Sequence, residues 1–218
     1  MEQTTITSGK RRVLFATQIC YLDTHNGASV ASRSLMECLS RLGFTVAAMS
    51  GTVLELTQEH DPGQWLADQG LIPEPGFDHA RSSNDSGSRS DTPHYYRLLA
   101  RGVPALPHRS PTTIPHEPDE AESREFLGLF EGVLDEFRPE VVVNFGGDAL
   151  ALEVRRRARA RNATVVFALH NFNYRNRAAF EDADAIIVPS RFAASYYRKT
   201  LGIECRALPN LVDFDRTR

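Results

Sequence analysis

The sequence predicts a single Rossmann-like α/β domain: a doubly wound, mainly parallel sheet flanked by helices. Three observations predict it. Short, almost unbroken apolar runs recur along the chain, as in strands buried on both faces. Stretches with apolar residues at helical spacing follow most of them. The chain also opens strand–turn–helix–strand within about 40 residues, the unit of a parallel sheet.

Residues 1–11 read as a flexible polar leader, and 12–17 as a buried first strand. Asn26-Gly27 makes a turn into a helix over 28–42, where Ala31, Leu35, Leu39 and Leu42 repeat at helical spacing and Gly43 provides the stop. Residues 45–49 form a second strand and 58–69 a short helix. From 73 to 122 the chain is rich in Pro, Ser, Asp, Gly and His, and reads as an irregular insertion with an exposed, mobile loop at 82–90. Within it, 95–99 and 103–106 read as short edge strands with Gly102 between them, and Pro104 and Pro107 demote the second.

Regular alternation resumes at Ser123. Phe126, Phe130, Val133, Leu134 and Phe137 share a helical face, which Pro139 ends. A buried strand follows over 140–145, then a Gly146-Gly147-Asp148 turn and a helix to Arg161. Strands are expected at 164–169, 185–188 and 206–208, with Ser190 capping a helix over 192–201 that Gly202 terminates. The domain is taken as 12–214, and 215–218 as the start of an interdomain linker.

The chain has 218 residues, enough for one sizeable core. Apolar residues make up 41% and charged residues 24%, ordinary for a globular protein. A net charge of -3 argues against bulk binding to nucleic acid. No run of about 18 apolar residues exists, so no membrane-spanning helix is expected. The polar leader lacks a signal-peptide core, and Cys20, Cys38 and Cys205 fit reduced thiols in the cytoplasm.

In open α/β sheets ligands sit where the carboxyl ends of strands turn into helices. Four such junctions stand out. At Asp23-Thr24-His25-Asn26-Gly27-Ala28-Ser29, a glycine permits close backbone approach and the next helix offers free N–H groups to an anion. The stretch lacks G-x-G-x-x-G, which disfavours a dinucleotide site, and it reads equally as a turn and cap. At Gly146-Gly147-Asp148, paired glycines suggest either ligand access or tight strand-to-helix packing. At His170-Asn171, an imidazole at a strand end is placed for proton exchange or for a structural hydrogen bond. At Ser190-Arg191, a helix start beside a guanidinium could hold a phosphate, or the serine only caps.

No metal is expected. His170 has no second ligand at suitable spacing, and His79, His94, His108 and His116 read as surface residues. The run Arg155–Arg161 reads mainly as the solvated outer face of its helix, with contact to an anionic membrane surface as the sharper alternative.

Taken together, four stretches resemble the N-terminal domain of family 4 retaining glycosyltransferases, which share the two-domain GT-B fold. They are 13–46 with its Asn26-Gly27-Ala28-Ser29 loop, 139–144, 165–171, and 183–192 continuing through Gly202-Ile203 to Leu208-Pro209-Asn210-Leu211-Val212-Asp213. The resemblance implies transfer of a sugar from a nucleotide-diphosphate donor with retention, this half binding a sugar, glycan or lipid-linked acceptor. It implies that Gly27 approaches the donor diphosphate and that His170 faces the transferred sugar. It further implies a C-terminal donor-binding domain beyond the present chain, no cofactor beyond the donor substrate, and an inactive fragment by itself. Two readings compete with it: a non-catalytic glycan- or partner-binding module of the same fold, and a cofactor-dependent oxidoreductase.

Overall fold

The computed structural model describes residues 11–76 and 92–211. The leader before Arg11, the loop expected at 82–90, His79 and the linker start at 215–218 lie outside the described residues.

The elements run β1 (Arg12–Ile19), α1 (Gly27–Arg41), β2 (Thr45–Val53), α2 (Pro62–Asp68), β3 (Glu74–Gly76), β4 (Tyr95–Ala100) and β5 (Val103–Pro107). Then follow α3 (Glu120–Phe137), β6 (Val141–Asn144), α4 (Ala149–Ala160), β7 (Thr164–Ala168), a 3-10 turn (Ala178–Phe180), β8 (Ala185–Val188), α5 (Arg191–Leu201) and β9 (Arg206–Ala207). Among the described residues one sheet holds all nine strands in the order β3-β4-β5-β2-β1-β6-β7-β8-β9. Every pairing from β5 to β9 is parallel, and only β3 and β4 run against their neighbours. The chain winds outward from β1 to one side, then returns to lay β6 on its other side. The doubly wound, mainly parallel expectation therefore holds, and the switch point lies between β1 and β6.

Each α-helix begins with a side chain that accepts from the third backbone N–H beyond it. Asn26, Asp61, Asp119, Asp148 and Ser190 do this at 2.8–3.1 Å. Gly43 (φ +89) and Gly202 (φ +63) end α1 and α5 in the left-handed conformation that glycine tolerates.

The sheet separates the core into layers. Phe15, Val46 and Val143 pack toward Met36 of α1 and Trp65 of α2. On the other face Leu14, Met49, Val142 and Val165 meet Phe126, Phe130 and Leu134 of α3 and Val154 of α4. Phe167 and Val188 meet Phe180 and Tyr197 toward α5. The alternation of partners along each strand is the period-two pattern of a pleated sheet.

The expected edge positions of 95–99 and 103–106 are corrected: β4 is paired on both sides, with β3 and β5. β5 lies inside the sheet, between β4 and β2. Its pairing with β2 begins at Ala105, one residue past Pro104, so the missing proline N–H falls outside that ladder. Pro107 is the last residue of β5, and His108 beyond it donates its backbone N–H to the Ser50 carbonyl at 2.6 Å. The histidines assigned to the surface are corrected as well. His108 is buried with its ring edge-on to Phe126, and His116 is part-buried against Glu122.

Candidate functional site

The carboxyl ends of β1, β6, β7 and β8 share one edge of the sheet, because these strands are parallel neighbours. The loop after β1 is held by Asp23, which is fully buried. One of its carboxylate oxygens accepts from the His25 N–H at 2.8 Å, the other from the Glu55 N–H at 2.7 Å. The clamp ties the end of β1 to the segment after β2, immediately before the start of α1.

Asn26 is the N-cap of α1, with extended backbone at φ -87, and its side chain is engaged with Ser29. Gly27 opens the helix, and a Cβ there would meet nothing within 4 Å, so the first turn of α1 has open space above it. Ala28 is half-buried behind it. Ser29 and Ser32 on the same helix are buried, and their hydroxyls have no hydrogen-bond partner among the described residues.

At the switch point, Asn144 donates its amide N–H to the Ala16 carbonyl at 2.7 Å, bridging β6 to β1. Its amide oxygen accepts from Arg155 at 2.6 Å. Arg155 is 0% exposed, which corrects its assignment to the solvated face of α4. Its guanidinium also donates to the carbonyls of Gly146 (2.9 Å), Ala179 (2.9 Å) and Glu181 (3.1 Å), and stacks over Phe167 at 5.0 Å. One side chain thus ties β6, the glycine loop and the 3-10 turn together. The other arginines of the run do face outward, in ion pairs: Arg156 and Arg157 with Glu153, Arg157 also with Glu131, Arg159 with Asp184 and Asp182, Arg161 with Asp135.

Gly146 has φ +107, a conformation that needs glycine. A Cβ on Gly147 would lie 2.6 Å from the Tyr174 ring, so that glycine is required by packing. Both alternatives open for this loop thus contain part of the answer: it is tightly packed beneath, and Gly147 remains exposed above. Asp148 caps α4 through Ala151.

His170 follows β7, edge-on to the Phe145 ring at 5.9 Å, and Phe145 in turn packs on Phe15 at 5.7 Å. Its Nε2 is buried with no hydrogen-bond partner among the described residues. Burial pushes the imidazole pKa below its ordinary value, so the ring is neutral at pH 7 and can accept as well as donate a hydrogen bond. Beside it lie Ser32 of α1, Pro189 after β8, and Asn210 past β9. Asn171 is exposed; its side chain accepts from the Asn173 N–H at 3.0 Å and its carbonyl accepts from the Tyr197 hydroxyl at 2.8 Å. Ser190 caps α5, and Arg191 at the first position of that helix is exposed.

Two neighbouring openings result. His170 and Ser32 line a small nook between α1 and the ends of β7 and β8. Gly147 and Asn171 line a broader groove of about 610 Å³ with Tyr174, Arg175 and Asn176. Gly27 lines neither, and Asn26, Asp148 and Ser190 are engaged as helix caps. A larger cleft of about 920 Å³ runs under α3 against β4 and β5, with apolar walls such as Leu106 and Val133. It lies on the flank of the sheet, and only its end near His108 approaches the carboxyl edge. Sequence reasoning missed Ser32, Arg155 and Tyr174, and named Asp23 only as part of the first junction. Asp23 carried a local signal for its role, as an Asx-type residue two positions before His25.

Residues 25–216 match the family model of Glycosyltransferase Family 4, and the chain belongs to that family. No curated protein sequence matches it. Among solved structures, an alpha-glucosyltransferase in complex with UDP and a 13-mer DNA aligns at 10% identity with a TM-score of 0.50. That alignment covers 96% of this chain and 45% of the other. A glycosyltransferase from Rickettsia africae ESF-5 aligns at 11% identity and a TM-score of 0.48, covering 95% of this chain and 45% of that one. A UDP-N-acetylglucosamine 2-epimerase from Rickettsia bellii gives 9% identity and a TM-score of 0.48, over 88% of this chain and 44% of the other. At such identities the resemblance concerns the fold alone. The chain spans less than half the length of each of these structures.

Proposed function

We propose that this chain is the acceptor-side half of a glycosyltransferase that moves a sugar from a nucleotide-diphosphate donor to an acceptor with retention. A C-terminal donor-binding domain supplies the opposite wall of the cleft, and the present half alone does not turn over. Family membership supports the transfer, and the short span relative to the structural neighbours supports a second half.

The observation that carries the site is His170. A neutral imidazole whose Nε2 is buried and unpartnered costs free energy unless a ligand or water completes it. It lies at the edge where the first turn of α1 is open above Gly27. In the assembled cleft His170 holds a hydroxyl of the transferred sugar, and the free N–H groups at the start of α1 face the donor diphosphate. Gly147 and Asn171 line the acceptor side. Asn26, Asp148 and Ser190 act through the helix starts that they cap. No step is assigned to a metal or cofactor. The protein works in the cytoplasm, and the ion pairs on α4 leave less free positive charge for a membrane surface than the arginine run suggests in sequence.

The test joins this chain to a donor-binding domain encoded beyond residue 218 or in a neighbouring frame, and follows sugar transfer from a panel of nucleotide-diphosphate sugars. Transfer by the joined protein and none by the chain alone is expected. Equal turnover by the chain alone would refute the division into halves.

A further inference from the structure

Two aromatic side chains stand in water at the same edge as His170, and neither is used by the reading above. Phe172, two residues past His170, is 41% exposed, and Phe192 in the first turn of α5 is 72% exposed. Their rings meet edge to face, 5.9 Å apart at 70°. Phe172 is fixed from behind. It lies parallel to the buried Tyr197 ring at 6.2 Å and edge-on to Tyr196 at 5.0 Å. The backbone on both sides of it is also pinned: Tyr197 donates to the Asn171 carbonyl at 2.8 Å, and Arg175 to the Phe172 carbonyl at 3.1 Å. The Ser190 cap sets the turn that presents Phe192. The two rings therefore form a pre-ordered ledge.

The surroundings of the ledge are polar. Asn171, Asn173, Arg175, Asn176 and Arg191 are all exposed, and the first four line the 610 Å³ groove with Gly147; Asn171 and Asn173 flank Phe172 in the chain. Exposed rings bordered by amides and a guanidinium match the two-sided chemistry of a pyranose. Its axial C–H face is apolar and settles on the electron-rich face of a ring, while its equatorial hydroxyls reach sideways to amides and guanidinium. An apolar surface made for a second domain is of the order of 600–1,500 Å² and has an apolar centre, whereas here the two rings are bordered in the chain by the exposed polar residues Asn171, Asn173 and Arg191.

We propose that Phe172 and Phe192 form a stacking ledge for a pyranose unit of a glycan acceptor, whose hydroxyls are held by Asn173, Arg175 and Asn176 in the adjoining groove. This rests on the reading of the chain as the acceptor-side half, and it names the acceptor class as carbohydrate.

The experiment titrates the 218-residue chain by calorimetry with tetrasaccharides of glucose, mannose, galactose and N-acetylglucosamine, and separately with vesicles containing anionic lipid. Binding of at least one tetrasaccharide is expected. Phe192→Ala should weaken it about tenfold, the worth of one good ring contact, while Phe192→Tyr keeps it. Leu42→Ala, which removes an exposed apolar side chain at the end of α1, should leave binding unchanged. Circular dichroism checks that each variant is folded. Absence of binding to every tetrasaccharide, binding that ignores Phe192→Ala, or a Phe192-dependent attachment to vesicles alone would each overturn the ledge. In the joined enzyme, transfer whose acceptor KM is indifferent to Phe192→Ala sinks the ledge and leaves the transferase standing. Glycan binding without any transfer does the reverse.

Discussion

Arg155 shows how much one residue can decide. Its cation rests on four neutral oxygens, Asn144 Oδ1 and three carbonyls, in the place where three segments meet. Replacing it by Met keeps much of the volume and strands those acceptors without donors. A loss on the order of 3 kcal/mol in urea unfolding is expected, since buried polar groups without partners cost more than the net worth of their bonds. A midpoint equal to that of the parent would contradict the bonding described. In sequence this arginine is indistinguishable from Arg156, Arg157, Arg159 and Arg161, because its partners lie up to 26 residues away and are mostly backbone. The role of His170 belongs to the same scale. His170→Ala in the joined enzyme should lower kcat by on the order of 10² with little change in the melting temperature. Because burial holds its pKa down, the ring stays neutral across pH 7–8, and activity attributable to it should decline only on acidification. Unaltered turnover in His170→Ala would remove it from the reaction.

Among the elements, helices and most strands were legible because their signals are local. Apolar spacing located α1, α3, α4 and α5, and Ser190 and Gly202 marked the two ends of α5 as expected. β5 was misplaced because proline position within a ladder depends on where the partner's pairing starts, which is a tertiary fact. The start of α3 was read late, at Ser123, because its cap Asp119 sits among the acidic and proline residues of the insertion. That region also holds an ion pair with a pH signature. The two ring nitrogens of His116 lie 2.8 Å from the Ile114 carbonyl and 2.6 Å from the Glu122 carboxylate. Partial burial alone would lower its pKa, but the bonds to Ile114 and Glu122 outweigh that and hold it above its ordinary value. Its contribution is therefore complete below about pH 6.5, the unfolded value, and is lost as pH rises through the higher folded value. The melting temperature should fall between pH 6 and 9 by more in the parent than in His116→Gln; equal slopes would refute the pairing. At the glycine loop, Gly147→Ala places a methyl into the Tyr174 ring, so a rise in Tyr174 mobility and in acceptor KM is expected from fluorescence and kinetics.

For the whole molecule, the doubly wound topology was readable from alternation alone, since a parallel strand needs a crossover and the helices supply it. The edge on which His170, Gly147 and Gly27 lie followed from the same rule. Which of them share an opening did not, because that depends on where side chains such as Phe145, Tyr174 and Ser32 pack between loops that are distant in sequence. Three of the expected junction residues, Asn26, Asp148 and Ser190, proved to be caps, a structural duty compatible with the same sequence pattern. At this scale the expectation is a molecule that binds on its own and catalyses only when completed.

The guanidinium sealed beneath the Gly146-Gly147 turn has one more effect. Asp148 and Asp182 are near enough to attract it, yet neither forms an ion pair with it. A unit charge enclosed in weakly polarisable surroundings is little screened by dissolved salt. The attraction between this cation and the carboxylates of Asp148 and Asp182 should therefore persist at ionic strengths that silence surface arginines.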